Sequence, residues 1–345
     1  MTDNDVLNIS LSAIQSYRTC QQQYAYRYVE RLRKRDRSKP LELGSLLHKY
    51  LELYYGMLKD GVKPNDAHEA SKLATSAEFT PQVRRSAKVL YEMGQDALAK
   101  EMLAILPMSG RIADRYFLTR GEEDAEEYEI LLVEEELESE VAPGFLSRGK
   151  IDMITRSRDT GLVELWEHKS TGSVPSTEYR LRDLQTTLYK YQLEEYEIDQ
   201  VVWNYIRTKE PTVPKVLKSG PYKGGLTHAK SLDSTWEVFA AEIKRHGFKE
   251  IDYLEQRKRL EGREESVYFP RYPQVILANP QVLLRDYVRT AKDIKLAIER
   301  WRARKRVPVR TLSLSCDWCD FKDLCNAVLL AGSDKDARAR FTKGA

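Results

Sequence analysis

Residues 146–169, LSRGKIDMITRSRDTGLVELWEHK, decide how the rest of the chain is read. Leu146 to Thr155 predicts one strand and Leu162 to His168 another, with Asp159-Thr160-Gly161 as the hairpin turn between them. Side chains two apart on a strand share a face, so Glu167 and Lys169 project together. Pairing through the hairpin brings Asp152 near Glu167. Two facing carboxylates repel unless a cation lies between them, and oxygen donors suit Mg²⁺ or Mn²⁺. Such a cation activates water and stabilises charge on a phosphate. Lys169 can hold or deprotonate that water, or stabilise the developing charge. A surface strand of alternating charges would carry the same letters, so the constellation needs support from elsewhere.

Upstream, Glu129 to Leu137 predicts a further strand, closed by a turn at Pro143-Gly144. Downstream, Thr177 to Glu195 predicts a helix with Leu181, Leu184, Leu188 and Tyr191 as its apolar stripe, followed by a strand over Gln200 to Arg207. Near the start, Ser12 and Gln15 have the spacing of a capping box ahead of Ile14, Tyr17, Tyr24 and Tyr28. A second helix is expected over Leu41 to Leu58, buried through Leu43, Leu46, Leu47, Tyr50, Leu51 and Tyr54. More helices are expected between Asp66 and Leu106, and a long amphipathic one over Pro280 to Arg304. The core order of helix, three strands, helix and strand is that of a mixed α/β fold with helical insertions.

Two i, i+4 pairs support the acidic site. Gly44 and His48 share one face of the second helix; glycine permits close backbone approach, and imidazole is a metal ligand. Gln185 and Tyr189 share a face of the later helix, and both can hydrogen-bond a phosphate or a base.

Taken in order, Gly44…His48, Gly149-Lys150-Ile151-Asp152, Glu167-His168-Lys169 and Gln185…Tyr189 resemble the RecB and Cas4 branch of the PD-(D/E)XK nucleases. The resemblance implies a restriction-endonuclease-like core, a mixed central sheet flanked by helices. It implies that His48, Asp152, Glu167 and the main-chain carbonyl of His168 bind Mg²⁺ or Mn²⁺. Asp152, Glu167 and Lys169 would be catalytic, with Gln185 and Tyr189 supporting DNA. The long gap between His48 and Asp152 implies a helical insertion. One of Glu134, Glu135 and Glu136 can join the site, and the sequence does not choose among them.

Four cysteines are present: Cys20, then Cys316, Cys319 and Cys325 in a C-x2-C-x5-C arrangement. In a cytosolic chain this favours a metal over disulfides, and four thiolates suit either one zinc or an iron–sulfur cluster. One cysteine before the nuclease motifs and three after them is similar to the AddB and Cas4 pattern, which implies a [4Fe–4S] cluster. The expected organisation is a single nuclease domain over 1–345. Residues 1–40 and 305–330 form the iron–sulfur subdomain, and 41–58 with 128–207 the catalytic core. Residues 59–127 are a helical insertion, and 208–304 a second insertion with the long C-terminal helix.

With 41% hydrophobic and 32% charged residues, no membrane-length apolar stretch and a polar start over Met1 to Ser10, the chain reads as cytoplasmic. Net charge is only +3, so basic charge is local: Arg31 to Arg37, and Arg300 to Arg310. DNA, single-stranded or at duplex ends, is the expected partner. It would be held by stacking and phosphate contact from Tyr24 and Arg27, among the other tyrosines and arginines near the first helix, and from Arg148 on the strand that begins at Leu146. The absence of a G-x-x-x-x-G-K-[ST] string excludes a motor in this sequence. The resemblance to Cas4-like nucleases then implies a free-standing exonuclease in recombination, repair or phage DNA processing, with a helicase or recombinase as candidate partner. A non-catalytic DNA-binding or assembly subunit is the competing function, and it would have no need of Asp152, Glu167 and Lys169 together.

Overall fold

A computed structural model describes residues 7–35, 38–181, 183–275 and 280–344. Its centre is a five-stranded sheet in the order β3-β6-β7-β8-β9. The strands are β3 (Tyr128–Val133), β6 (Met153–Ser157), β7 (Val163–Thr171), β8 (Gln200–Arg207) and β9 (Arg271–Gln274). β7 and β8 run parallel, and the other neighbours antiparallel. A smaller sheet, β1-β5-β4, joins β1 (Leu7–Ser10), β4 (Glu136–Ala142) and β5 (Phe145–Lys150). A third pairs β2 (Leu32–Lys34) with β10 (Phe341–Lys343).

The two strands expected on either side of Pro143-Gly144 are each broken in two. β3 gives way to β4 at Glu134-Glu135, and β5 to β6 at Ile151-Asp152. Glu134 has φ +52, left-handed backbone that a glutamate adopts only at a cost. The ladder is carried through the bend by Glu134 N–H to Asp152 O (2.8 Å) and Ile151 N–H to Glu135 O (3.0 Å). One long hairpin thus serves two sheets, and Asp152 sits at its corner. Such strain is characteristic of functional sites.

Alternation along the central strands divides the core into two layers. Met153, Trp166, Val202 and Ile206 pack under helix α2 (Lys39–Lys59), whose Leu43, Leu46, Leu47, Tyr50, Leu51 and Tyr54 are buried. Ile154, Leu165, Val201, Trp203 and Tyr205 face the opposite way, against Tyr189 and Leu193. Residues 59–127, expected as an insertion, are helical and cap the α2 side with α3 (Pro64–Glu92), α4 (Ile105–Tyr116) and α5 (Glu122–Glu127). The helix expected over Thr177 to Glu195 is two pieces, Thr177–Leu181 and α6 (Leu184–Gln192). Leu181 and Tyr191 are accordingly exposed, whereas Leu188 is buried. In the region 208–304, expected as a second insertion, the helix α7 (Trp236–His246) builds a small core of its own around Phe239 and Ile243. β9 comes from that region and was hidden in the sequence by Pro273, which only an edge strand tolerates.

Helix α1 (Leu11–Thr19) is capped by Ser10, whose hydroxyl accepts from Ala13 N–H at 3.3 Å, and not by the expected Ser12. The capping box fails because β1 runs up to Ser10 in parallel register with β5. The long helix α8 (Pro280–Arg302) packs Tyr287, Ala291 and Ile294 against Ile9, Ile14, Tyr24 and Phe145. At the far end, Tyr26, Leu32, Phe321, Leu324 and Phe341 form a compact cluster beside helix α9 (Lys322–Ala331). Among the described residues no helix is long and apolar enough to cross a membrane.

Candidate active site

The site forms where the hairpin corner, the end of β7 and one face of α2 meet. Gly44 explains how α2 comes so near: a Cβ there would lie 2.7 Å from the Ser170 hydroxyl on β7. One turn on, His48 places Nδ1 3.8 Å from Asp152 Oδ1. Donor atoms of His48, Glu134 and Asp152 all lie within 4.8 Å of one another. The choice among the three glutamates is therefore made by the bend: Glu134 turns in, while Glu135 and Glu136 stay exposed. Lys150 pairs with Glu134 at 2.6 Å. That role depends on hairpin register, so the Gly149-Lys150-Ile151-Asp152 string alone did not reveal it.

Asp152 Oδ2 accepts the backbone N–H of His168 at 2.6 Å. Glu167 is 2% exposed. Its Oε1 accepts from the Lys169 ammonium and from Gln185 Nε2 (2.9 Å), while its Oε2 is buried without a partner. Burial pushes both carboxyls up to about 7, and each is opposed by the charge of Lys169. Burial alone would lower the Lys169 ammonium, but Glu167 and Asp152 outweigh it and hold the group well above the usual lysine range. His48 is lowered by burial and then by Lys169, which leaves its imidazole neutral and able to ligate. Asp183, the N-cap of α6, accepts from Thr186 N–H at 2.8 Å and adds negative field at Glu167 and Lys169. The sequence hid it inside the single helix expected over Thr177 to Glu195; only the break after Leu181 makes Asp183 an N-cap.

The residues expected to touch DNA are placed differently. Tyr189 is buried; its hydroxyl donates to Lys150 O (3.0 Å), and Gln185 turns inward to Glu167 and to Tyr189. A Cβ on Gly149 would lie 2.5 Å from the Tyr189 ring, so that glycine exists to admit the tyrosine. Both side chains brace the site because their polar atoms are already used inside it. Tyr24 is 4% exposed and stacked on Tyr28 at 5.0 Å, beside Trp301. It is core and offers no stacking platform. Arg27 pairs with Asp320 and lies over Phe321, and Arg148 is exposed with Glu138 as partner.

A family model described as the PD-(D/E)XK nuclease superfamily matches residues 8–326. The chain belongs to the PD-(D/E)XK nuclease superfamily. None of the curated proteins matches the sequence. Membership implies metal-dependent nuclease activity, and nucleases of this superfamily use divalent metals.

The residues present fit such a metal. Glu167 Oε2 is a buried oxygen that lacks a partner, an expensive arrangement unless something is to bind there. The two carboxyls raised by burial and the neutral imidazole form a mixed oxygen and nitrogen donor set of the kind Mg²⁺ and Mn²⁺ accept. His48, Glu134 and Asp152, whose donor atoms already lie within 4.8 Å of one another, would hold it, with Glu167 beside them. When bound, a divalent cation lowers the pKa of its water and draws charge from a phosphate oxygen. The chain's own part is orientation: His168 N–H aims Asp152, and Gln185 with Lys169 aims Glu167. Lys169 is held as a cation beside Glu167.

The four cysteines are free and line one cavity of about 70 Å³ between the end of α1 and the segment before α9, with Arg310 and Phe321. Among the described residues no three of their sulfurs lie within 4.8 Å of one another. One tetrahedral zinc, with Zn–S of about 2.3 Å, would hold them roughly 3.8 Å apart.

Proposed function

We propose that the protein is a metal-dependent deoxyribonuclease of the RecB and Cas4 kind, an exonuclease acting on DNA ends or single strands. The observation that carries this reading is the convergence of Asp152, Glu167 and Lys169 at one hairpin corner, with a buried, unpartnered carboxylate oxygen among them. His48, Glu134 and the His168 carbonyl complete the proposed ligand set. A binding subunit would gain nothing from the cost of two buried carboxylates. Recombination, repair or phage DNA processing is the proposed setting, with unwound ends supplied by a helicase or recombinase.

The test is a time course on end-labelled single-stranded, double-stranded and circular DNA with Mg²⁺ or Mn²⁺, beside Asp152→Ala. The expected result is end-dependent, metal-dependent loss of label that Asp152→Ala abolishes. Cutting of circles would replace the exonuclease reading by an endonuclease one, and equal cutting by Asp152→Ala would remove the site.

The same reading assigns Cys20, Cys316, Cys319 and Cys325 to a [4Fe–4S] cluster. That all four line one cavity supports it.

A further inference from the structure

Behind the site lies a buried polar relay that the motifs do not account for. Asp124 on α5 accepts from both Arg271 Nη1 (2.5 Å) and Arg271 Nη2 (2.6 Å), a bidentate pair from which almost all water is excluded. Arg271 on β9 in turn donates from Nε to Asn204 Oδ1 at 3.2 Å. A guanidinium can only donate, so it assigns the Asn204 amide: the oxygen faces Arg271 and the NH₂ faces away. Both hydrogens of that NH₂ are used, one on Tyr116 OH (2.8 Å) and one on His168 Nδ1 (2.9 Å). The other face of the His168 ring is covered by Tyr55, stacked at 5.7 Å. Tyr55 itself donates to Asp124 Oδ2 at 2.5 Å, which closes the circuit. His168 and Asn204 are neighbours in the β7–β8 register.

The position of His168 gives this relay its meaning. It stands between Glu167 and Lys169 on β7, its N–H holds Asp152, and its side chain points to the opposite face of the sheet from theirs. A ring fixed on one face sets the two peptide planes that aim the catalytic side chains on the other.

We propose that Asn204, held in orientation by the Arg271–Asp124 pair, is a positioning residue for the metal centre and acts on it through His168. The inference rests on the metal-centre reading above. It gives the insertions a role, since Asp124 comes from the first and Arg271 from the second. Supports behind a metal site are usually worth about tenfold to a hundredfold in metal affinity.

The experiment is a Mn²⁺ titration of the full chain without DNA, followed by electron paramagnetic resonance, with thermal melting alongside. The variants are Asn204→Leu, Asn204→Asp, His168→Phe, the Asn204→Asp/His168→Phe pair and Asp152→Ala. Asn204→Asp keeps size and an acceptor for Arg271 but donates nothing, so it reads the relay even if Asn204→Leu does not fold. The expected result is Mn²⁺ affinity reduced about tenfold to a hundredfold in Asn204→Asp and in His168→Phe, with no further loss in the pair. In cleavage assays kcat falls while KM for DNA holds. Wild-type Mn²⁺ affinity in Asn204→Asp, or losses that add in the pair, would overturn the relay. If Asp152→Ala bound Mn²⁺ like the wild type, the metal centre itself would be wrong, and the relay would fall with it.

Discussion

The backbone N–H of His168 holds the Asp152 carboxylate at 2.6 Å, so the strand that carries Glu167 and Lys169 also aims the acid on its neighbour. Two carboxyls and one lysine are thereby referred to one strand, and small shifts of β7 should move them together.

Removing either central carboxylate should separate activity from stability. Asp152→Asn and Glu167→Gln are expected to reduce DNA cleavage to background. Asp152→Asn relieves a buried charge, so its metal-free melting temperature should hold or rise, by the equivalent of about 1 kcal/mol, whereas Glu167→Gln also takes the partner from the Lys169 ammonium and should melt lower while staying folded. Cleavage assays beside calorimetry check this; a variant that cuts normally, or one that loses activity only by unfolding, contradicts it.

The pH dependence follows from the same pair. Asp152 and Glu167 sit near 7 in the folded protein, above the usual carboxylate range near 4. Between those values the folded state binds more protons than the unfolded state, so metal-free stability falls as pH rises from about 4 to about 7 and levels off above. Metal needs the ionised forms, so its stabilising effect should grow over the same window. Melting curves at pH 5 to 8, with Mn²⁺ or with chelator, should diverge as pH rises. A metal-induced shift that does not change with pH would count against the two carboxylates as ligands.

The two motif glycines should not respond alike. A Cβ at Gly149 meets the buried Tyr189 ring at 2.5 Å, and that ring also holds the Lys150 backbone. Gly149→Ala should therefore cost about 1–3 kcal/mol and lower cleavage. At Gly44 the obstacle is only the Ser170 hydroxyl, which can rotate, so Gly44→Ala should cost less. Denaturant titrations of both proteins decide the order, and the reverse order would mean that α2 is packed more rigidly than Tyr189.

For the cysteines, freshly prepared protein should be brown and contain iron. Cys316→Ala should lose the colour and become protease-sensitive between residues 305 and 330. It should not come apart entirely, because β2 and β10 pair Leu32–Lys34 with Phe341–Lys343 over the Tyr26, Phe321 and Phe341 cluster. Stoichiometric zinc without iron in anaerobically prepared protein would refute the cluster.

Tyr24→Ala tests the corrected role of the first aromatic stripe. Its ring is 4% exposed against Tyr28 and Trp301, so the cost should be about 3 kcal/mol in stability, with DNA affinity of the folded fraction unchanged. Weaker DNA binding at unchanged stability would restore the stacking role.

By itself the sequence determined the order of the main core segments, because period-2 and period-3.6 patterns are local. The β8 strand, α2 and the Asp159 hairpin all follow from neighbouring residues. Glu167 and Lys169 on one face follow too, since alternation along a strand needs no tertiary information. What only the tertiary structure decided depends on contacts far apart in the chain. The bend at Glu134 and Asp152 selects one glutamate of three, and no local pattern encodes a strand that changes sheets. β1, β2, β9 and β10 are short and gain their pairing from partners elsewhere, as β1 does from β5 and β10 from β2. Gln185 and Tyr189 looked like outward donors because helix spacing says which residues share a face, not which way the face points. Burial against β5 and β7 turned that face inward, and the same burial gave Asp152 and Glu167 their raised pKa values and left Glu167 Oε2 without a partner.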